Sequence, residues 1–313
     1  MLHLLGALAG ETLSFAFKAS REYRVWIVER PGANLPAPAL AQLKQDCETV
    51  VRTCLAGQSL DYGLFAEDGM AWERSVITLV TRIADDTPIA FNAMPQLDVI
   101  RGGARETVLH LGLVMVDPAE RSGGLSWILY GLTCFALFLR QGMRPLWVSS
   151  VTQVPAVVGM VAETFSQVFP GQAGTPQSFT HRHLAHQIMR HHRHAFGVGE
   201  DAGYDADRQV ITDAYTGGSD NLKKGLDIAA KHRREVYNAF CARELDYVRG
   251  DDVLQIGKID LAAGQRFLAR SVPRSALPQL GVQAAMVLIG AVLAPLIQWL
   301  DSARPYNRLR PRA

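Results

Sequence analysis

The chain has 313 residues, 48% of them hydrophobic and 20% charged, which excludes a disordered polymer and is enough for two compact units or one large one. A formal net charge of +2 argues against a general nucleic-acid binder. Cys47, Cys54, Cys134 and Cys241 are scattered without CxxC spacing, so neither a disulfide framework nor a zinc knuckle is expected, in keeping with a reducing cytoplasm. The N-terminal stretch lacks a basic leader and is interrupted by Glu11, which argues against a signal peptide.

In chain order, Leu2–Leu8 is a candidate apolar helix and Tyr23–Glu29 a first strand. Pro31, Pro36 and Pro38 mark a loop, after which Leu40, Leu43, Cys47, Val50, Val51 and Cys54 predict a helix over 39–55. Val76–Ile83 and Pro88–Met94 read as a hairpin around residues 84–87. Thr107–Val116 is apolar except for His110 and Gly112, the pattern of a central strand buried on both faces. Gly112 is a candidate bulge that would splay this strand. Pro118 ends it, a short loop follows, and the uncharged run 124–139 predicts a buried helix closed by Gly142. Pro145–Thr152 then reads as a strand and Ala156–Phe165 as a helix entered at Pro155.

Strand, glycine loop and helix form a geometry whose helix N-terminus binds phosphate through free amides and the macrodipole. Val116, Pro118, Arg121, Gly124 and Ser126 fit V-x-P-x-x-R-x-x-G-x-(small). This loop resembles the acyl-CoA loop of the GNAT acyltransferase superfamily, and the element order from about Tyr23 to Pro170 is similar to that family's. The simpler alternative is any βα unit with a glycine turn. The resemblance implies a mixed sheet flanked by helices and acyl-CoA or acetyl-CoA as co-substrate. By position it implies that Val114, Met115 and Val116 pair with the pantetheine arm. It likewise implies that Arg121, Ser122, Gly123, Gly124, Leu125 and Ser126 cradle the pyrophosphate.

In many members of that family a Tyr on the helix after the next strand protonates the leaving thiolate. Here no Tyr lies between Val154 and Pro170, so the general acid has no assignment. Attack by an amine also calls for a proton acceptor. His110, two residues before Gly112, is the first candidate, with a core histidine bonded to a carbonyl as the alternative reading. Glu106, acting through water, is the second, with a solvated strand-end charge as its alternative. Ser149, Ser150 and Thr152 on the following strand are candidates to hold the acceptor.

Residues 171–180 read as a linker. Six histidines follow (His181, His183, His186, His191, His192 and His194), interleaved with Arg182, Arg190 and Arg193. Interleaved cations disfavour a metal site, and no metal is expected. A further helix is expected from Ser219 to about Val248, with a basic face suited to an acidic partner such as an acyl carrier protein, or to an anionic bilayer. Ser275–Leu300 contains no charge but holds Pro278 and Pro295. It is long enough to span a bilayer, yet arginines flank both ends, which favours a helix lying in or dipping into the cytoplasmic leaflet.

The expected organisation is therefore a GNAT-like acyltransferase domain over 1–172, a helical His/Arg-rich extension over 173–274, and an apolar membrane-seeking segment with a basic tail over 275–313. The expected activity is transfer of an acyl group from acyl-CoA or an acyl carrier protein to an amine, at the inner face of the membrane. The competing expectation is a non-catalytic acyl-CoA-binding or scaffold protein of the same shape.

Overall fold

The computed structural model of the chain describes residues 13–121, 125, 127–171, 174–270, 272, 281 and 285. They form a mixed α/β structure around an eleven-stranded sheet. The strands are β1 (Ser14–Lys18), β2 (Tyr23–Glu29), β3 (Ser75–Arg82), β4 (Pro88–Arg101), β5 (Ala104–His110), β6 (Val114–Val116), β7 (Leu146–Thr152), β8 (Ser166–Phe169), β9 (Gly203–Asp205), β10 (Val210–Thr212) and β11 (Asp252–Ile259). Their order across the sheet is β1-β2-β3-β4-β5-β7-β11-β10-β9, with β6 paired to β4 and β8 to β11. Every pairing is antiparallel except β5 with β7.

The α-helices longer than one turn are α1 (Ala37–Cys54), α2 (Thr133–Arg140), α3 (Pro155–Thr164), α4 (Phe179–His191), α5 (Glu235–Glu244) and α6 (Leu261–Arg270). They cover both faces of the sheet. On one face Leu43, Cys47, Val50 and Val51 of α1 lie on Val28, Ile77, Leu79 and Phe91. On the same face Leu184, Ala185 and Ile188 of α4 meet Val108, Leu254 and Ile256. On the other face α2 buries Leu137 and Phe138 against Leu109, Leu111 and Val148. Nearby α3 and α5 share Val158, Ala162, Tyr237 and Cys241. Strands with a large covered face on each side explain why the central runs lack polar alternation.

The strand at Tyr23, the helices at 37–54 and 155–164 and the strand at 146–152 lie within a residue or two of where the sequence pattern puts them. The hairpin's second strand runs seven residues past Met94, to Arg101, and the expected strand Thr107–Val116 is divided into β5 and β6. Three further elements differ. The uncharged run 124–139 opens with a π-helical turn, Trp127–Leu132, before α2. That wider turn frees the Leu129 carbonyl, which accepts from the buried Asn92 Nδ2 at 2.5 Å. The stretch expected to be a helical extension also supplies β9, β10 and β11, and β11 lies at the heart of the sheet against β7. The helix expected over 219–248 shortens to α5, because the preceding backbone is spent elsewhere. Ala230 O accepts from Ala156 N at 3.0 Å, and His232 N donates to Asn238 Oδ1 at 2.9 Å. The expected helix at Leu2–Leu8 lies outside the described residues. So does nearly all of the apolar stretch 275–300. Among the described residues no helix is long and apolar enough to cross a membrane.

Candidate functional site

The central feature is where the one parallel ladder stops. β5 and β7 pair at Val108 with Trp147, Leu109 with Val148 and His110 with Ser149, and Leu111 N donates to Ser149 O at 2.7 Å. Beyond this point β7 runs on to Thr152, held by β11 on its other edge. The chain of β5 continues as β6, which pairs only with β4 among the described residues.

A bulge separates the two halves. Leu109 is opposite Gln96, whereas Val114 is opposite Asn92, so one extra residue has entered between them. Gly112 sits at this bulge, where a Cβ would meet Ala93 O at 2.4 Å and Pro95 Cδ at 2.9 Å. Only glycine fits so close an approach.

The register also fixes which backbone groups face the opening. Leu113 O accepts from Ala93 N at 2.9 Å and Asp117 N donates to Ile89 O at 2.8 Å, so the odd residues of β6 bond to β4. In an antiparallel ladder the alternate residues point the other way. Val114 and Val116 therefore direct their N–H and C=O groups towards β7. Val116 O accepts from Cys54 Sγ at 3.3 Å and from Arg121 Nε at 3.4 Å. Across the gap Ser149 spends its carbonyl on β5, and Val151, two residues on, faces the same side without a ladder partner among the described residues.

The loop after β6 is anchored. Asp117 Oδ1 accepts from Ala119 N at 2.9 Å, while Glu120 accepts from Tyr23 Oη at 2.7 Å and pairs with Arg82 at 2.8 Å. Those two partners hold the Glu120 carboxyl below the usual carboxylate range. Arg121 is exposed at the end of this turn. Ser122, Gly123, Gly124 and Ser126 lie outside the described residues. Leu125 is buried, and its carbonyl accepts from Ile128 and Leu129 as the helical run begins.

His110 is 1% exposed, on the α4 face of the sheet, stacked on Phe196 with ring centroids 4.9 Å apart. Its Nδ1 lies 3.0 Å from Ser149 Oγ. Burial, helped by His192, pushes its pKa down to about 3, so the ring is neutral at physiological pH. His110 and Ser149 are thus brought together. Glu106 is not among them: it lies four residues earlier on β5, in a bidentate pair with Arg101 at 2.8 and 2.6 Å. Ser150 is buried on β7 opposite Gln255, and Thr152 Oγ1 accepts from Val154 N at 3.0 Å at the strand's end.

Residues missed from the sequence gather just past Thr152. Asp252 opens β11, one step beyond the Val253–Thr152 pair, which puts it beside Gln153. Its Oδ1 is 3.0 Å from Tyr215 Oη. With the Gln153 amide turned so that its oxygen meets donors, Oε1 accepts from Tyr215 Oη at 2.8 Å and from Lys224 N at 2.7 Å. Tyr247 Oη donates to the Gln153 main-chain carbonyl at 2.6 Å. Tyr215 has one hydroxyl proton and two acceptor neighbours. It donates to Asp252 Oδ1 when that carboxyl is ionised, whereas a protonated Asp252 would donate to it and leave the hydroxyl's own proton for Gln153. Burial pushes the Asp252 carboxyl up to about 7, opposed by the Tyr215 bond and aided by the neighbouring Asp251. Asp251 differs from it: burial raises it, but the bidentate Arg249 pair and two backbone amides outweigh that and hold it low.

Beside this network, on the same face, an open groove of about 1070 Å³ runs between the α1–β3 loop and the C-terminal end of α4. Its floor is Ser75, Pro95 and Leu97, and Tyr62 and Ala195 stand in its wall. The wall closes because the chain at Gly197 is left-handed, at φ +72. A Cβ there would meet Ser219 Cβ at 2.6 Å and Tyr62 Cγ at 3.0 Å. Three of the six clustered histidines serve structure: His181 Nε2 bonds to Gln167 O at 2.8 Å, His183 Nε2 to Ile100 O at 2.7 Å and His192 Nε2 to Asp98 O at 2.7 Å. Among the described residues no three His, Cys, Asp or Glu side chains converge as a metal site would require.

No family model matches the sequence, and no curated protein matches it. Among solved structures, a tetramutant of the BH1408 protein from Bacillus halodurans superposes on 34% of this chain and 70% of its own, at 12% identity and a TM-score of 0.21. Likeness at that level identifies neither fold family nor activity.

Proposed function

We propose that the protein is a GNAT-type acyltransferase that moves an acyl group from acyl-CoA, or an acyl carrier protein, to an amine. One observation carries this reading: after His110 and Ser149 the central ladder opens, and Val114 turns its N–H and C=O, and Val116 its N–H, into the gap. An extended amide-bearing arm such as pantetheine is the ligand class that pairs with a free strand edge. The anchored turn at Asp117–Glu120, with Arg121 at its exit, then stands where the diphosphate of CoA would emerge. The cradle proposed at Ser122, Gly123, Gly124 and Ser126 and the membrane-surface part of the reading, through 275–300, rest on sequence alone.

In the reaction, the neutral amine nitrogen attacks the thioester carbonyl carbon, the C–N bond forms, the C–S bond breaks and the thiolate takes a proton. Asp252 is the better proton acceptor in this proposal, since a base with a pKa near 7 is matched to neutral pH and His110, at about 3, is not. Burial pushes the Tyr215 hydroxyl pKa upward, so it stays protonated beside Asp252, and as the thiolate takes the Tyr215 proton, Asp252 passes on to Tyr215 the proton it took from the amine. These groups offer an answer to the absent Tyr after Val154: the hydroxyl comes from the loop after β10, not from the helix.

The test is release of free thiol from acetyl-CoA and from a long-chain acyl-CoA, with and without a panel of amines. Amine-dependent release supports the proposal. Tight acyl-CoA binding without any such release favours the non-catalytic binding protein, and absence of both removes the acyl-CoA reading.

A further inference from the structure

The groove between the α1–β3 loop and the end of α4 has charged walls of both signs. Arg74 and Arg190 line it, as do Asp61 and Glu200. None of the four takes part in an ion pair among the described residues. Opposite charges that share one concavity without pairing leave both a cation site and an anion site available to a ligand. A second observation points the same way. Ser75, on the groove floor, is 1% exposed, and its hydroxyl has no hydrogen-bond partner. Tyr204, on the wall, likewise has a buried hydroxyl with no partner. Buried hydroxyls are ordinarily bonded, so two on one groove await a polar ligand.

We infer that this groove is the acceptor pocket and that its occupant is a zwitterion, an amino acid or a close analogue with both an amine and a carboxylate. The inference rests on the acyl-transfer reading for the amine's fate but not for its binding. The carboxylate belongs with Arg74 and Arg190, whose guanidinium groups suit it by shape, and the ammonium with Asp61 and Glu200. Apolar Leu97, Met189 and Val198 in the same lining leave room for an uncharged side chain. In the reaction such an acceptor, once deprotonated, forms an amide through its nitrogen and keeps its carboxylate.

The experiment titrates the full chain with each of the twenty common amino acids, with the amine lacking the carboxylate, and with the acid lacking the amine. Binding is read by calorimetry, and acetyl-CoA is titrated in parallel. At least one amino acid is expected to bind about tenfold or more tightly than both of its truncated analogues. Arg74→Gln and Arg190→Gln are each expected to weaken that amino acid by about tenfold, with no change for the carboxylate-free amine or for acetyl-CoA. If no amino acid outcompetes its analogues, or if both variants bind it as the parent does, the inference is overturned. Retained thiol release with simple amines in that case leaves acyl transfer standing. Amino-acid binding without acetyl-CoA binding would instead remove acyl transfer and leave the pocket.

Discussion

The two edges of β7 follow different rules. Its β11 edge is paired at seven positions from Leu146 to Thr152, while its β5 edge is paired at three and then open. The same strand is thus a closed ladder on one side and one wall of a cleft on the other. What separates the two is a single inserted residue at the Gly112 bulge, after which the neighbouring strand stays on β4 but no longer pairs with β7 among the described residues. The closed edge is not inert, however. By running β11 past the end of β7 it delivers Asp252 to Gln153 and Tyr215, beside the opening. One edge offers backbone to a ligand, and the other brings a titratable group to it.

The largest expected effect tests what the closed edge delivers. Asp252→Asn should lower the rate of amine acylation by ~10²–10⁴-fold while acyl-CoA affinity is unchanged. The parent rate should climb as pH rises through about 7, and the variant should lose that limb. Stability should move the opposite way. The folded protein disfavours the Asp252 carboxylate, whose unfolded pKa is ~3.9, so the parent loses stability relative to Asp252→Asn as pH climbs from about 4 to 7. Equal melting temperatures of the two proteins at pH 4 and at pH 8 would contradict the assignment.

A smaller effect is expected from closing the bulge. The side chain in Gly112→Ala would strike the Ala93 carbonyl, a backbone atom with nowhere to go. A loss of ~2–3 kcal/mol in denaturant unfolding is expected, accompanied by weaker acyl-CoA binding in whatever fraction folds. Smallest is the contribution of the buried imidazole. Because His110 resists protonation down to about 3 while the unfolded chain takes a proton at ~6.5, the fold should lose stability as pH falls between those values. His110→Gln should flatten that part of the pH profile and leave the rate per folded molecule within about twofold.

How much of this was legible in the sequence follows from where the information sits. Strand, bulge and loop from Thr107 to Arg121 are local: an apolar run, a glycine and a proline, each with its own steric meaning. The pairing of His110 with Ser149 needed only the adjacency of two neighbouring strands. Asp252 was not legible, because the chain from Ser178 to Asp251 separates it from β7 and its pattern reads as helix and linker. The run VLQIGKI is apolar enough to be a buried strand, and two aspartates at its start marked a strand end; that was the available signal. Tyr215 and Tyr62 come from loops, whose placement no periodicity reports. Of the six clustered histidines, His181, His183 and His192 spend a ring nitrogen on carbonyls of β4 and β8, a tertiary use that their spacing does not report.

The most direct test of the central claim is hydrogen exchange at single amides on the two walls of the opening, with and without acetyl-CoA. Val114 and Val116 on β6 and Val151 on β7 point their N–H groups into the gap, whereas Met115 is turned towards β4. Saturating acetyl-CoA should slow exchange at Val114 by at least about tenfold, with smaller slowing at Val116 and Val151 and none at Met115. Unchanged exchange at Val114 in protein shown by calorimetry to be loaded with acetyl-CoA would contradict the account, because the ligand would then lie elsewhere.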